Sequence, residues 1–539
     1  MKVRAALFAA SFIACTVLAS ASAQMVTEST LLKPYPSDDW PMYNGNYSSQ
    51  RHSLLKQINT ANVNKLVTKW IYRVVNVREL ELSPIVVKGV MYLAQFNRLD
   101  ALDARTGNII WQYKYPPVNP AWQRGTAVAD NKVFLPRSDG HLMALDARTG
   151  AVLWDVKTES SLRAAAPMVA HGKIIVTGGS SIQAYDVNDG KHVWTWDVLP
   201  TDKDPEALKT WGTGKPQGGG VWLGGSYDPA QNLLFYGTGQ PSPTGIGEVR
   251  PGDNLYTDSM VALDADTGKM KWYYQYTPHD TLDYDATEIP VLIDGDFKGK
   301  PRKMLMLANR SGIYYVLDRT TGEFLSGTPF VKLVTWMNGF DAKGRPNKVA
   351  GMDPSVKGTE VCPATAGATN WPSPAYNPQT KLFYVVTAEG CGIMFRESSP
   401  GVAEVLGLAA QGSAYIESPD HPWSASVRAL DATTGKQVWD YKQYRSNHYG
   451  PGLLSTAGGL VFAGEQFGHF SALDAKNGKL LWSFNTGDVI TAAASTYTVD
   501  GKQYVAIASN TNIVVFGLPD AAAASSTAPT TKAAAGAKP

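Results

Sequence analysis

One phrase recurs along this chain, Ala-x-Asp-x-x-x-Gly-x-x-x-Trp, and it constrains the fold more than any other feature. It runs from Ala101 through Asp103 and Gly107 to Trp111. It returns from Ala144 to Trp154, Ala184 to Trp194, Ala262 to Trp272, Ala429 to Trp439 and Ala472 to Trp482. A degenerate copy runs from Val316 through Asp318 and Gly322 to Ser326, where the Trp is lost. Spaced self-similarity means one structural unit made many times. Each copy reads as strand, turn, strand: an apolar run before the Asp, a tight Asp-x-x-x-Gly turn, and a second apolar run ending on Trp. A two-stranded unit cannot bury its own faces, so the copies must stack. Around a ring, stacking gives an all-β, β-propeller fold with Trp-docking repeats.

The steps between repeat alanines are 43, 40, 78, 167 and 43 residues. The long steps hold insertions, which repeat folds place in loops on one face. Seven copies, plus strands at both ends, imply an eight-bladed propeller over residues 39–519. The closing run from Tyr504 to Phe516 is expected to pair with N-terminal strands between Leu66 and Val74, which removes exposed edges. Residues 24–38 read as a polar leader, and 520–539 as a disordered Ala/Thr/Pro-rich tail.

Residues 1–23 read as a signal peptide. Lys2 and Arg4 form the positive region, residues 5–18 the apolar one, and Ala21-Ser22-Ala23 the cleavage site. Acylation at Cys15 is the alternative, and Phe12 three residues before it fits that poorly. Export through such a signal points to the periplasm. No other stretch is long and apolar enough to span a membrane. Net charge is +2 with 18% charged residues and no basic stripe, so nothing suggests a nucleic-acid partner. After cleavage two cysteines remain, Cys362 and Cys391. An oxidising compartment makes a disulfide the default, with two buried thiols as the alternative. There is no Cys-x-x-Cys-His for haem attachment.

Further motifs resemble the PQQ (pyrroloquinoline quinone)-dependent alcohol dehydrogenases, the quinoprotein family that includes methanol dehydrogenase. They are Asp39-Trp40-Pro41-x-Tyr43-x-Gly45, Arg250-Pro251-Gly252-Asp253-Asn254, Thr277-Pro278-His279-Asp280-x-x-Asp283-Tyr284-Asp285, and Asn309-Arg310-x-Gly312-x-x-Tyr315. The resemblance covers about residues 39 to 517. It implies a flat tricyclic quinone on an aromatic floor, donors at its rim, and a calcium or lanthanide ion polarising the reactive carbonyl. It also implies a carboxylate base for the alcohol proton and a separate electron acceptor, a cytochrome c or another periplasmic carrier.

Residue by residue, the resemblance makes Asp283 the catalytic base and a metal ligand, and Asp285 an added ligand of the kind lanthanide-using members carry. A strand-like segment would put Asp283 and Asp285 on one side. Trp222, after Gly218-Gly219-Gly220, matches the floor of the cofactor site. Arg310 matches the residue bonding the quinone oxygens, and Arg124 a carboxylate-binding fork. Glu81, Asn370 and Trp371 match further cofactor contacts, and Tyr449 falls near a family Trp above the ring. For Glu81, Arg124 and Asn370, ordinary turn or surface hydrogen bonding is the competing reading.

Three departures stand out. The family's adjacent cysteines are absent from the stretch before Arg124, where Trp122 could cover the ring instead. The metal-binding Glu is missing, because Thr177-Gly178-Gly179-Ser180-Ser181-Ile182-Gln183 runs directly into the third repeat. The metal-ligating Asn is replaced by Gln240. Asp285 could compensate for the lost Glu, or the site could have drifted. Two other readings therefore stand beside the alcohol dehydrogenase: a cofactor-free binding or assembly propeller, and a divergent enzyme on the same scaffold. The substrate-shaping loops are expected at 202–214 and 401–424.

Overall fold

The computed structural model describes residues 38–74, 80–95, 97–116, 124–160, 165–396, 412–444 and 450–520, with single positions 27, 31–33, 35 and 162. The signal segment, most of the leader, Trp122, Tyr449, residues 401–411 and the tail beyond Asp520 lie outside the described residues. Antiparallel sheets dominate. The first repeat contributes Ile85–Val87, Val90–Gln95, Arg98–Asp103 and Ile109–Lys114, hydrogen-bonded in that order. The same four-strand meander recurs, so eight sheets of this kind occur among the described residues. One of them is split between the chain ends: Val67–Arg73 pairs with Asn512–Gly517, which continues into Lys502–Ser509 and Ser495–Val499. Its pairing closes the propeller. No helix among the described residues is long and apolar enough to cross a membrane.

The repeat phrase explains how neighbouring sheets adhere. Its Ala and Trp are cross-strand partners, as in Ala101↔Trp111, Ala184↔Trp194 and Ala472↔Trp482. The Asp carboxylate caps the turn; Asp103 Oδ1 accepts from Arg105 N at 2.8 Å. The indole then reaches the next repeat. Trp111 Nε1 donates to Ala147 O at 3.0 Å, and Trp194 Nε1 to Ala265 O at 3.1 Å. Each indole lies on the following turn glycine. A Cβ on Gly150 would sit 2.6 Å from Trp111, and one on Gly268 2.6 Å from Trp194. These glycines also hold φ of +73° and +67°, which side chains resist.

Where the degenerate copy lacks its Trp, Tyr314 takes over and donates to Ala432 O at 2.8 Å. Trp70 performs the same docking for the closing sheet, donating to Ala104 O at 3.2 Å over Gly107. Its repeat partner lies at the other end of the chain, which is why the phrase does not reveal it.

Residues 40–53 form an inner hoop. The segment meets the innermost strands in succession. Trp40 bridges Val86. Tyr47 donates to Val169 O at 2.7 Å and accepts from Tyr227 N at 2.9 Å. Gln50 donates to Leu292 O at 2.6 Å and accepts from Tyr376 N at 2.8 Å. Arg51, fully buried, donates to Leu453 O at 2.8 Å, Ala494 O at 2.5 Å and Tyr43 O. Burial lowers its guanidinium to about 10, so it stays cationic at neutral pH and carbonyl dipoles hold it.

Trp194→Ala removes an indole and its bond to Ala265. The expected loss is about 3–5 kcal/mol, read as a lower urea midpoint.

Candidate active site

The loops between second and third strands, and those leading into each first strand, share one face of the propeller. Every described candidate site residue lies on such a loop, because strands end there and side chains become free to converge. Asp283 and Asp285 follow strand Met270–Gln275, Arg310 follows Lys300–Ala308, and Gln240 follows Leu233–Gly237. Glu81, Arg124, Trp222, Asn370 and Trp371 precede first strands.

Asp280 shapes the catalytic loop. Its carboxylate accepts from Leu282 N and Tyr284 N, both at 2.8 Å. The phenol of Tyr284 donates to Pro363 O. Asp283, with φ of +66°, lies largely buried at the bend of this turn. The segment is therefore a loop and not strand-like, which corrects the expected reason for the two carboxylates facing one way. Arg310 brings them together: Nη1 donates to Asp285 Oδ2 at 2.5 Å and Nη2 to Asp283 Oδ2 at 3.2 Å. A guanidinium fork can hold two acceptors at once.

Arg310 is held in turn by Thr365 O at 2.6 Å, and Thr365 Oγ1 donates to Leu282 O at 2.9 Å. Thr365 belongs to the loop after Cys362, which forms a disulfide with Cys391. Sequence reading missed Thr365, and no signal in the chain marks it.

Asp285 Oδ1 accepts Gln240 N at 2.7 Å. Gln240 O accepts Gly219 N at 2.8 Å, and Gly218 lies so close that a Cβ there would meet Gln240 O at 2.4 Å. The glycines thus let the Trp222 loop press against the Gln240 loop. In place of the family's Glu-bearing insert, Lys173–Gly178 and Ser181–Asp186 are joined by a two-residue turn, and Ser180 Oγ donates to Gly218 O at 2.5 Å.

Arg124 packs between two indoles, 5.5 Å from Trp222 and 5.1 Å from Trp371. It pairs with Glu81 at 2.7 Å and donates to Trp222 O at 3.1 Å. Asn370 is turned into its own loop, donating to Ala366 O at 3.0 Å and accepting Trp371 N at 2.8 Å. The insertion at 202–214 forms helix Pro205–Lys209, capped by Asp204, and Trp211 anchors it to Leu255 O at 2.7 Å.

The residues fit a planar polyanion beside a hard cation. Arg124 Nε is buried with no partner among the described residues, as is Asp283 Oδ1. Two indoles border that guanidinium, and the nearby donors are carboxylate and amide oxygens suited to calcium or a lanthanide. Burial above all, then Asp285 and Asp280, raises Asp283 to about 7 against the pull of Arg310. Burial likewise raises Asp285, opposed by Arg310.

Comparisons with known proteins identify the family of this fold. The family model for the glucose/ethanol/alcohol dehydrogenase β-propeller domain matches residues 40–329. A second model, of the outer membrane protein assembly factor BamB, matches residues 413–524. The chain is 36% identical to the quinoprotein alcohol dehydrogenase PedH of Pseudomonas putida, over 94% of this chain and 92% of that protein. It is 35% identical to the lanthanide-dependent methanol dehydrogenase of Methylorubrum extorquens, covering 91% and 90%. A europium-containing methanol dehydrogenase structure superimposes with a TM-score of 0.80 at 31% identity, covering 89% of this chain and 98% of that one. The fold is that of a quinoprotein propeller. The chain belongs to the PQQ-dependent alcohol dehydrogenase family.

An aspartate raised from 3.8 to about 7 on folding makes a distinct pH signature. Below about pH 4 both states are protonated and the group is neutral in effect. As pH rises, the unfolded chain ionises first, so the metal-free fold loses stability until about pH 7. Asp283→Asn should therefore raise the melting temperature of chelator-treated protein at pH 8 and leave it nearly unchanged at pH 4.

Proposed function

We propose that this protein oxidises an alcohol to an aldehyde or ketone in the periplasm, using PQQ and a hard cation, and passes the electrons to a separate cytochrome c. The observation that carries this reading is the Arg310 fork, which holds Asp283 and Asp285 together while leaving Asp283 Oδ1 without a partner. When bound, PQQ and its cation supply a polarised carbonyl and a two-electron sink.

The chain's own residues do the rest. Asp283 Oδ1 takes the hydroxyl proton of the alcohol, and the carbinol hydrogen departs with its electron pair. A base that titrates near neutrality is well matched to that proton. Arg310 keeps the base aimed by holding its other oxygen. Trp222 and Trp371 give the planar ring apolar contact, and Arg124 between them offers charge to a ring carboxylate. Gln240 and Asp285 contribute cation oxygens, and the second carboxylate offsets the missing Glu. The signal-like residues 1–23 and the absence of a haem-attachment motif support the periplasmic location and the external acceptor.

A dye-linked assay on metal-stripped protein tests the reading. PQQ is added with calcium, with lanthanum or with neither, against primary and secondary alcohols. Activity is expected only with PQQ and an ion together. Asp283→Asn should lower kcat roughly 10²–10⁴-fold while the protein still binds PQQ. Absence of PQQ binding under every condition would replace this reading with that of a cofactor-free propeller.

A further inference from the structure

Next to the Asp285–Gln240 contact lies a carboxylate that the proposed chemistry does not use. Asp258 is completely buried, and among the described residues no donor reaches either of its carboxylate oxygens. Its backbone is fixed on both sides: its N–H donates to Gly239 O at 3.1 Å, and its carbonyl accepts Tyr276 N at 2.8 Å. Gly239 immediately precedes Gln240, and its missing Cβ would stand 2.6 Å from Asp285 Oδ1. The backbone that anchors Asp258 is thus the same backbone that touches the Asp285 carboxylate. Burial above all raises Asp258 well above the usual carboxylate range, with Asp280, Asp285 and Asp283 adding to it and Arg250 opposing.

The surrounding cations offset these acids only in part. Arg310 is committed to Asp283 and Asp285. Arg250, though near, donates to Pro243 O, Thr244 O, Asp280 O and Asn254 Oδ1, and so to no carboxylate. Asp280 is satisfied by two backbone N–H groups. Glu288 receives Asn309 on one oxygen, and its other oxygen has no partner among the described residues. Asp258, Asp283 Oδ1 and Glu288 Oε1 therefore form an excess of buried acceptors beside one site. Buried acid groups without donors are unfavourable unless a cation faces them. A neutral residue at 258 would leave the fold without that burden.

We propose that Asp258 helps select the ion: as an outer carboxylate behind the Asp285–Gln240 contact, it biases the site toward a trivalent cation of the lanthanide type and against calcium. The Coulomb gain from an outer charge grows with the charge of the ion, so a third positive charge gains half as much again as two. Asp258 needs no direct bond to the ion for this, and its charge adds to those of Asp283 and Asp285. The inference rests on the reading of this face as a PQQ–metal site, and the test lets the two fail separately.

The experiment titrates metal-stripped full-length protein, with PQQ present, by terbium luminescence, and measures calcium by displacement. Asp258→Asn keeps the shape of the side chain and accepts the φ of +51° at this position. Asp258→Ser is the second variant, and a melting curve in chelator shows which of them folds. The expected result is that calcium affinity falls about tenfold and terbium affinity about thirtyfold, so that the preference for terbium over calcium falls about threefold. Equal losses for both ions, or no change for either, would overturn the proposal. Failure of the unaltered protein to bind either ion would overturn the metal-site reading and this inference with it.

Discussion

Most sheets of this propeller carry an aromatic side chain whose hydrogen-bond acceptor lies on the next sheet. The indole N–H of Trp111, Trp194 or Trp439 finds its acceptor on the following repeat, and the ring lies on that repeat's turn glycine. Such sheets therefore cannot be completed alone. The dependence passes round the ring to Trp70, which docks on Ala104. The hoop of residues 40–53 ties the inner strands from the axis. Docking at the rim and hydrogen bonding at the axis together leave the connecting loops as the part of each repeat free to specialise.

The site uses that freedom on one face. Its central interaction is the Arg310 fork, which turns two carboxylates from different parts of a loop into one acidic pair. Like charges so close would repel without it. The fork depends on Thr365, Thr365 on the loop after Cys362, and that loop is fastened by the disulfide to Cys391. The short hairpin at Gly179-Ser180 supports the site, since Ser180 clamps the glycine loop that presents Trp222.

Much of this was legible in the chain. The repeat phrase specified strand pairs, turn and docking ring, because each of those needs is local to eleven residues. Asp283, Asp285, Arg310, Trp222 and Arg124 were recognisable through motifs, and the structure gathers them on one face. Other features left no local trace. Tyr314 replaces a lost Trp from a different position, Trp70 docks across the chain ends, and Thr365 acts through its carbonyl, an atom every residue has. The strand-like reading of Asp283 to Asp285 failed because Asp280 captures two backbone N–H groups and folds the segment into a turn.

By itself the sequence determined the repeating unit, the reason units must stack, and the residue types available for chemistry. These follow from short-range periodicity, turn chemistry and the need to bury apolar faces. Only the tertiary structure decided which carboxylate would be clamped and which left open. Asp258, Asp280, Asp283 and Asp285 are the same residue type within a short stretch. What separates them is the partner each meets: two backbone amides for Asp280, a guanidinium for Asp283 and Asp285, and no donor among the described residues for Asp258. The amides that hold Asp280 lie in its own loop, the guanidinium comes from the loop after Lys300–Ala308, and burial makes the difference between these environments large.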